Sequence, residues 1–401
     1  MDHHTRKDKP ESSYCSTETD CDIAEQRSSG KIVELDEDMN QVVEDLTKQI
    51  LDLNESRVLE QMFQDCRYRH LLIQTHTWEE KVVRILHVVR CREFTQRNPK
   101  TGICQPCRFS LFNIALFDFD KESKVVHGPL FRDIPPFHYE RLDTSFNLVS
   151  IKVAESDIRY PISIYGTVLA RDRNDYRCVY LFKRGRDEPQ VITRKNRMLA
   201  LTGPYRALGG TTDLHVEFDL KIKGEGAADE DFSKGLLVLN AFMNKSGIPY
   251  TFSLKSYLST VDMVCVPVSN ALEASIGVNF LNGKSTFTGK IFASTSESDT
   301  SKMVLYDSQV DGTKTEFGSD GSVSLSRRIL SVRRGEYLLL YFSVRDSYDK
   351  FRRLKFVIGN DVDERTCNLG TYRLHVKIIW KGVFRQHGIE SKVIGDTKVL
   401  W

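Results

Sequence analysis

The residues richest in chemistry are four soft ligands, His87, Cys91, Cys104 and Cys107, spaced H-x3-C-x12-C-x2-C. An imidazole and thiolates at that spacing suit a tetrahedral zinc site. The knuckle Cys104-Gln105-Pro106-Cys107 would present two sulfurs, and a helix end carrying His87 and Cys91 the other two ligands. Asn98-Pro99-Lys100-Thr101-Gly102 supplies the loop between the pairs. The competing reading is that His87 and Cys91 simply lie on the helix that carries Val82 and Val89, with no cofactor bound. A redox role fits less well, because a thioredoxin-type CxxC opens a helix and here the strand-like FSLFNIALFDFD follows.

Three further groups carry charge in a pattern. His215, Glu217 and Asp219 alternate along one strand and would share an exposed face, at a spacing of about 7 Å, as a metal or acid/base row or as a plain solvated face. Asp172 and Asp175, with Asp229, Glu230 and Asp231, are loop carboxylates of the kind that bind calcium in C2-type sandwiches. Lys183, Arg184, Arg186, Arg194, Lys195, Arg197 and Arg206 concentrate positive charge around Phe182 and Tyr205. If their strands pair, they can meet a phosphate-bearing ligand, a lipid headgroup or RNA. No phosphate-cradling glycine loop, nucleophile elbow or zincin helix occurs, and no catalytic residue is assigned.

The elements that would position these residues fall into five regions. Residues 1–35 are polar and almost free of large apolar side chains, and read as a disordered tail. Residues 36–98 are helical. Met39, Val43, Leu46, Ile50 and Leu53 form one stripe, and a second helix starts at Thr77, whose spacing to Glu80 is that of a capping box, and ends before Asn98-Pro99. Residues 99–145 are loop and linker with one strand-like segment, Phe109 to Asp120. Residues 146–381 are a β body, and residues 382–401 an extension. The chain of 401 residues has a formal net charge of +2, which offers no global attraction for nucleic acid or anionic membranes. Nine scattered cysteines, no apolar leader and no long apolar run point to a reduced cytoplasmic or nuclear setting without a signal peptide or transmembrane segment.

The β body reads as antiparallel sandwich. In Leu214 to Ile222 every second residue is apolar, and Ile162, Ile164, Val168 and Ala170 alternate around Gly166, a site for a bulge. The body also repeats. Shifted by 123 residues, Ser163 to Ala170 falls on Thr286 to Ala293 with Gly166 on Gly289. Tyr180-Leu181-Phe182 meets Val304-Leu305-Tyr306 and Leu199-Ala200-Leu201 meets Val323-Ser324-Leu325 at 124, and Val216, Phe218, Leu220 and Ile222 meet Leu338, Leu340, Phe342 and Val344 at 122. The expected fold is therefore mainly β, a tandem or duplicated antiparallel β-sandwich with units at about 146–265 and 270–381.

Tyr165-Gly166-x-Val168-x-Ala170-Arg171-Asp172, Tyr180-Leu181-Phe182-x-Arg184-x-Arg186, Leu201-Thr202-Gly203-Pro204-x-Arg206-Ala207 and Phe218-x-Leu220-Lys221-Ile222-Lys223-Gly224 resemble a grass (Poaceae) family catalogued as domain of unknown function number 6598. The resemblance covers about Phe146 to Trp380 and implies a monocot source and a β-rich fold, with no activity attached. Some members of that family are fused to a ribosome-inactivating N-glycosidase, but its Glu-Ala-Ala-x-Arg signature is missing here. The function expected is a non-enzymatic binding module with a protein, phosphate-bearing or lipid-headgroup partner, and the resemblance suggests a loose tie to stress or defence. A hydrolase or glycosidase-like enzyme using acidic loops, and a C2-like calcium and lipid binder, are the alternatives.

Overall fold

The computed structural model describes residues 78–384, apart from 211–212, 225–228, 241–244, 283–285, 311, 346–347 and 349. The expected tail, the helix beginning near Asp38 and nearly all of the C-terminal extension lie outside the described residues. Helix α1 (Trp78–Glu93) leads into a small hairpin of β1 (Thr95–Arg97) and β2 (Cys104–Pro106). The nine strands that follow are β3 (Ser145–Ser156), β4 (Ile162–Arg171), β5 (Val179–Arg184), β6 (Gln190–Ile192), β7 (Leu208–Gly209), β8 (Asp213–Ile222), β9 (Glu230–Asn240), β10 (Tyr250–Ser256) and β11 (Ser259–Val268). After the two residues Ser269 and Asn270 come β12 (Ala271–Asn282), β13 (Gly289–Thr295), β14 (Ser298–Asp307) and β15 (Ile329–Arg333), then β16 (Leu338–Arg345), β17 (Phe351–Ile358), β18 (Glu364–Leu369) and β19 (Tyr372–Gly382).

The strands form four main antiparallel sheets around two separate cores. In the first unit, β10-β11-β3-β7 faces β5-β4-β8-β9, with β6 added to β4, over Ile151, Val153, Val168, Phe182, Phe218 and Met263. In the second, β18-β19-β12-β15 faces β14-β13-β16-β17 over Val278, Ile291, Tyr306, Phe342, Val376 and Trp380. Alternation places these residues: along β19, Tyr372, Leu374, Val376, Ile378 and Trp380 are all buried, one residue in two. Burying each such side chain contributes about 1.5–3 kcal/mol.

Two glycines set the pairing of the second sheet in each unit. Gly166 has φ +110, and a Cβ there would lie 2.1 Å from the Asp219 carbonyl oxygen; Gly289 has φ +155, and its Cβ would lie 2.4 Å from that of Ser343. Gly166 pairs with Leu220 and Gly289 with Val344. The expected correspondence of β8 and β16 at 122 residues is thereby corrected to 124: hydrogen-bond register sets Leu220 opposite Gly166 as it sets Val344 opposite Gly289. A slip of two keeps the same side chains on the core face, which is why alternation alone did not expose it.

The strand expected over Phe109 to Asp120 is absent, and the segment bends without forming one. It is an aromatic plug that buries Phe109, Phe112, Ile114, Phe117 and Phe119. Backbone groups that a ladder would satisfy are met by side chains instead. Arg90 Nη1 donates to the carbonyls of Ile114, Ala115 and Phe117 at 2.7, 2.8 and 2.9 Å. Arg171 Nη2 donates to Phe119 O at 2.8 Å, and Phe109 N–H donates to Glu217 Oε1 at 2.8 Å.

The units meet through a reciprocal set of hydrogen bonds. Ser331 N–H donates to Asn147 Oδ1 at 2.8 Å while Asn147 Nδ2 donates to Ser331 O at 2.7 Å, and Ala207 N–H donates to Glu273 Oε2 at 2.7 Å. Strand β3 pairs Phe146 with Leu208, and β12 pairs Leu272 with Val332. Asn147 and Glu273 thus hold the same place in their strands, one residue after Phe146 and Leu272, and each grips the backbone one residue before its own partner strand's counterpart, in the opposite unit.

Candidate ligand cleft

Between the units lies a cleft of about 670 Å³. The first unit contributes Val149 and Ser150 of β3, the end of β5, Lys195, Asn196 and the segment 198–202, and the second contributes β13, β14 and the segments 312–314 and 324–327. Both linings run over equivalent backbone, since Thr202 N–H donates to Leu181 O and Ser326 N–H to Leu305 O, the same bond 124 residues apart. Six cationic side chains border the cleft, Lys183, Arg184, Lys195, Lys290, Lys314 and Arg327, against two carboxylates, Glu188 and Asp307. Met198, Phe292 and Val304 give it an apolar side.

Arg327 is the unusual member. It is 3 % exposed, its Nη2 donates to Leu148 O at 2.6 Å, and its Nε has no hydrogen-bond partner among the described residues. Burial pushes its pKa down to about 10, so it stays charged at neutral pH. The two other buried arginines among the described residues are matched. Arg171 Nε meets Glu217 at 2.7 Å, and Arg206 Nη2 meets Asp172 Oδ1 at 2.9 Å. Burial opposes the charge on Arg206 too, but Asp172 overrides it and raises the pKa.

The expected basic concentration is divided by the fold. Lys183 and Arg184 border the cleft, as does Lys195. Arg186 pairs with Asp229 at 2.8 Å, Arg194 is exposed on a loop, and Arg197 Nη1 donates to Ala154 O at 2.8 Å. Arg206 is buried in its pair with Asp172. Of the five carboxylates weighed for calcium or hydrolysis, Asp172 is committed to Arg206 and Asp229 to Arg186, Asp231 lies 3.6 Å from Lys234 and Asp175 3.9 Å from Arg206, and Glu230 is exposed on β9.

The row His215, Glu217 and Asp219 is corrected. His215 and Glu217 are buried and only Asp219 is exposed, because the aromatic plug covers that face of β8 and sets Phe109 edge-on to His215 at 4.7 Å. Burial works against the Glu217 charge, yet Arg171, with help from Arg108, holds its pKa below the usual carboxylate value. Of the four soft ligands, His87 and Cys91 meet one turn apart on α1, with Sγ 3.6 Å from Nδ1. Ile114 N–H also donates to that Nδ1, and burial lowers the His87 pKa to about 4. Cys104 sits on β2, and the Cys107 thiol donates to Phe94 O at 2.9 Å with its pKa raised by burial. Among the described residues no three His, Cys, Asp or Glu side chains gather as a metal set.

A second groove of about 830 Å³ lies within the second unit, along β12 and the segment 313–328. Its charges balance, Lys314 and Arg328 against Glu316 and Asp320, and Asp320 already accepts from Asn279 Nδ2 at 3.3 Å. The inter-unit cleft is the stronger candidate because it alone of the two contains a buried charge without a partner carboxylate. Arg327 could have been suspected from Ser324-Leu325-Ser326-Arg327-Arg328, but nothing in that run separates it from its exposed neighbour Arg328.

Residues 145–378 match the model of a family described as "Domain of unknown function (DUF6598)", from the first residue of β3 to within β19. The chain belongs to this family. Comparison with curated proteins gives no match. Among solved structures, this DUF6598 chain is similar to human GIVD cytosolic phospholipase A2 at 10 % identity and TM-score 0.22, covering 59 % of this chain and 30 % of the phospholipase. It is also similar to the two tandem C2 domains of Extended-Synaptotagmin 2 at 10 % identity and TM-score 0.22, covering 70 % of this chain and 99 % of theirs. The family member thus spans about a third of the phospholipase, and likenesses this weak bear on neither ligand nor activity. No described helix is long and apolar enough to cross a membrane.

Proposed function

We propose that this DUF6598 chain is a non-enzymatic binding module whose ligand sits in the cleft between two copies of one duplicated β unit. The observation that carries the reading is the contrast among its buried arginines: Arg171 and Arg206 are each matched by a carboxylate, and Arg327, at the cleft, is not. A buried charge left unmatched is costly, and sites that bind ions accept that cost in the free state. The side chains an enzyme would need free speak for binding over catalysis, since Glu217 serves Arg171 and the plug backbone, and Asp172 serves Arg206. Duplication is supported by the matching strand orders and by the constant 124-residue step in β7 and β15, β8 and β16, and the cleft-lining segments.

The test is a thermal-shift panel of neutral, cationic and anionic small molecules against the natural chain and Thr202→Trp. Thr202 is exposed and lines the cleft, so an indole there fills the space without entering either core. Ligands that raise the Tm of the natural chain should lose that effect in the variant. Equal shifts in both proteins would place binding elsewhere and overturn the reading.

A further inference from the structure

Resting on that reading of the cleft, we infer that its ligand is a phosphate ester with an apolar body, whose phosphoryl group is held by the Arg327 guanidinium and by the ammonium groups of Lys195 and Lys314. Charge selects the class. Six cations against two carboxylates leave an excess that one carboxylate ligand would not balance and a phosphate dianion would balance better. Arg327 brings a guanidinium anchored through Nη2 to Leu148 O, with Nε lacking an acceptor among the described residues, and so leaves N–H donors that no protein group satisfies beside a cleft large enough for a tetrahedral anion. The lysines act as point charges around it. Lys290 and Lys183 contribute less to the excess, because Lys290 is tied to Asp307 at 2.7 Å and Lys183 lies 3.4 Å from Glu122.

Shape selects the body. A volume of about 670 Å³ is far larger than a phosphate ion and falls in the range of small-molecule sites. Met198 and Val304 are each 39 % exposed on this cleft, apolar surface that an organic group would cover and a bare ion would not. The same chemistry is met by a soluble phosphomonoester and by the headgroup of a phosphorylated lipid.

Isothermal titration with phenyl phosphate and inorganic pyrophosphate, and cosedimentation with phosphatidylcholine vesicles with and without a phosphoinositide, test this on the full chain. Phenyl phosphate or the phosphoinositide vesicle should bind. Arg327→Gln should weaken binding about tenfold to a hundredfold. Lys195→Gln with Lys314→Gln should weaken it about tenfold and reduce its salt dependence. Both lysines are exposed, so that pair keeps the test valid should Arg327→Gln fail to fold. Binding of the soluble ester identifies a free phosphomonoester; binding of the vesicle alone, lost in Thr202→Trp, identifies a lipid headgroup. If a neutral compound binds in the cleft, is blocked by Thr202→Trp and ignores the lysine pair, the phosphate inference fails while the cleft reading stands. Phosphate binding indifferent to both Thr202→Trp and the lysine pair overturns both, and no binding by either phosphate source overturns the phosphate inference.

Discussion

Arg171 and Arg327 are both closed to solvent and differ in what surrounds them. The first is held by Glu217 and by the carbonyls of Tyr176 and Phe119, so its charge is spent on fixing the plug to β8. The second has, among the described residues, a single carbonyl partner for its side chain, and it borders a cationic cleft. Two histidines beside the plug carry a consequence for pH. Burial lowers His87 and His215 to about 4 from 6.5, while Asp213 and Glu217 pull His215 upward and Arg171 pulls it down. Their folded pKa lies below the unfolded one, so between pH 6.5 and 4 the unfolded chain takes up protons that the folded chain excludes. Stability should hold above about pH 7 and fall through that window by about 3 kcal/mol for each histidine. Urea midpoints across pH 4–8 check this. The slope should lessen in His215→Gln, and an unchanged slope would assign the acid sensitivity to other groups.

Among the elements, the strands were legible and the plug was not. Val216, Phe218 and Leu220 alternate because one face of β8 meets the core, and period two reports that directly. The plug also alternates aromatic residues, but its bends bring Phe112 and Ile114 inward together with Phe109, Phe117 and Phe119, positions of both parities. That inward turn depends on Arg90, Arg171 and Glu217, which lie far away in sequence and whose role no local pattern announces. For the same reason His215 and Glu217 read as a wet face: the cover over them is not in their own strand. Phe109 stacks on Tyr176 with centroids 4.9 Å apart and is fully buried, so Phe109→Ala should cost about 3–5 kcal/mol. Chemical denaturation measures the loss, and hydrogen exchange should show the segment 109–123 opening before the β strands. A loss below about 1 kcal/mol would mean that the plug is not part of the cooperative core.

At the scale of the whole molecule, the reciprocal grips of Asn147 on Ser331 and Glu273 on Ala207 have the form of a two-fold interface, where contact i to j returns as i′ to j′. The cleft belongs to this scale, which is why candidate residues chosen along one basic stretch were only half gathered: Lys183, Arg184 and Lys195 reach it, and the remainder of its charge comes from Lys290, Lys314 and Arg327, far on in the chain. Within each unit period-two alternation marks the core strands, but between units the contact is made by side chains of β3 and β12 that reach backbone in the opposite unit, which no local pattern announces.

The join between the units is two residues long, Ser269 and Asn270, and hydrogen bonds clasp the units on both sides of the pseudo-symmetric contact. Jaw-like closure needs slack at the hinge, and this chain has almost none. Occupancy should therefore leave the outline of the molecule unchanged: small-angle scattering with and without ligand should superimpose, with a constant radius of gyration. A measurable contraction would show that the clasp yields. On the proposed binding role, a ligand would register only through the rearrangement of a few long side chains at the seam, and whatever reads that state would have to touch the seam itself.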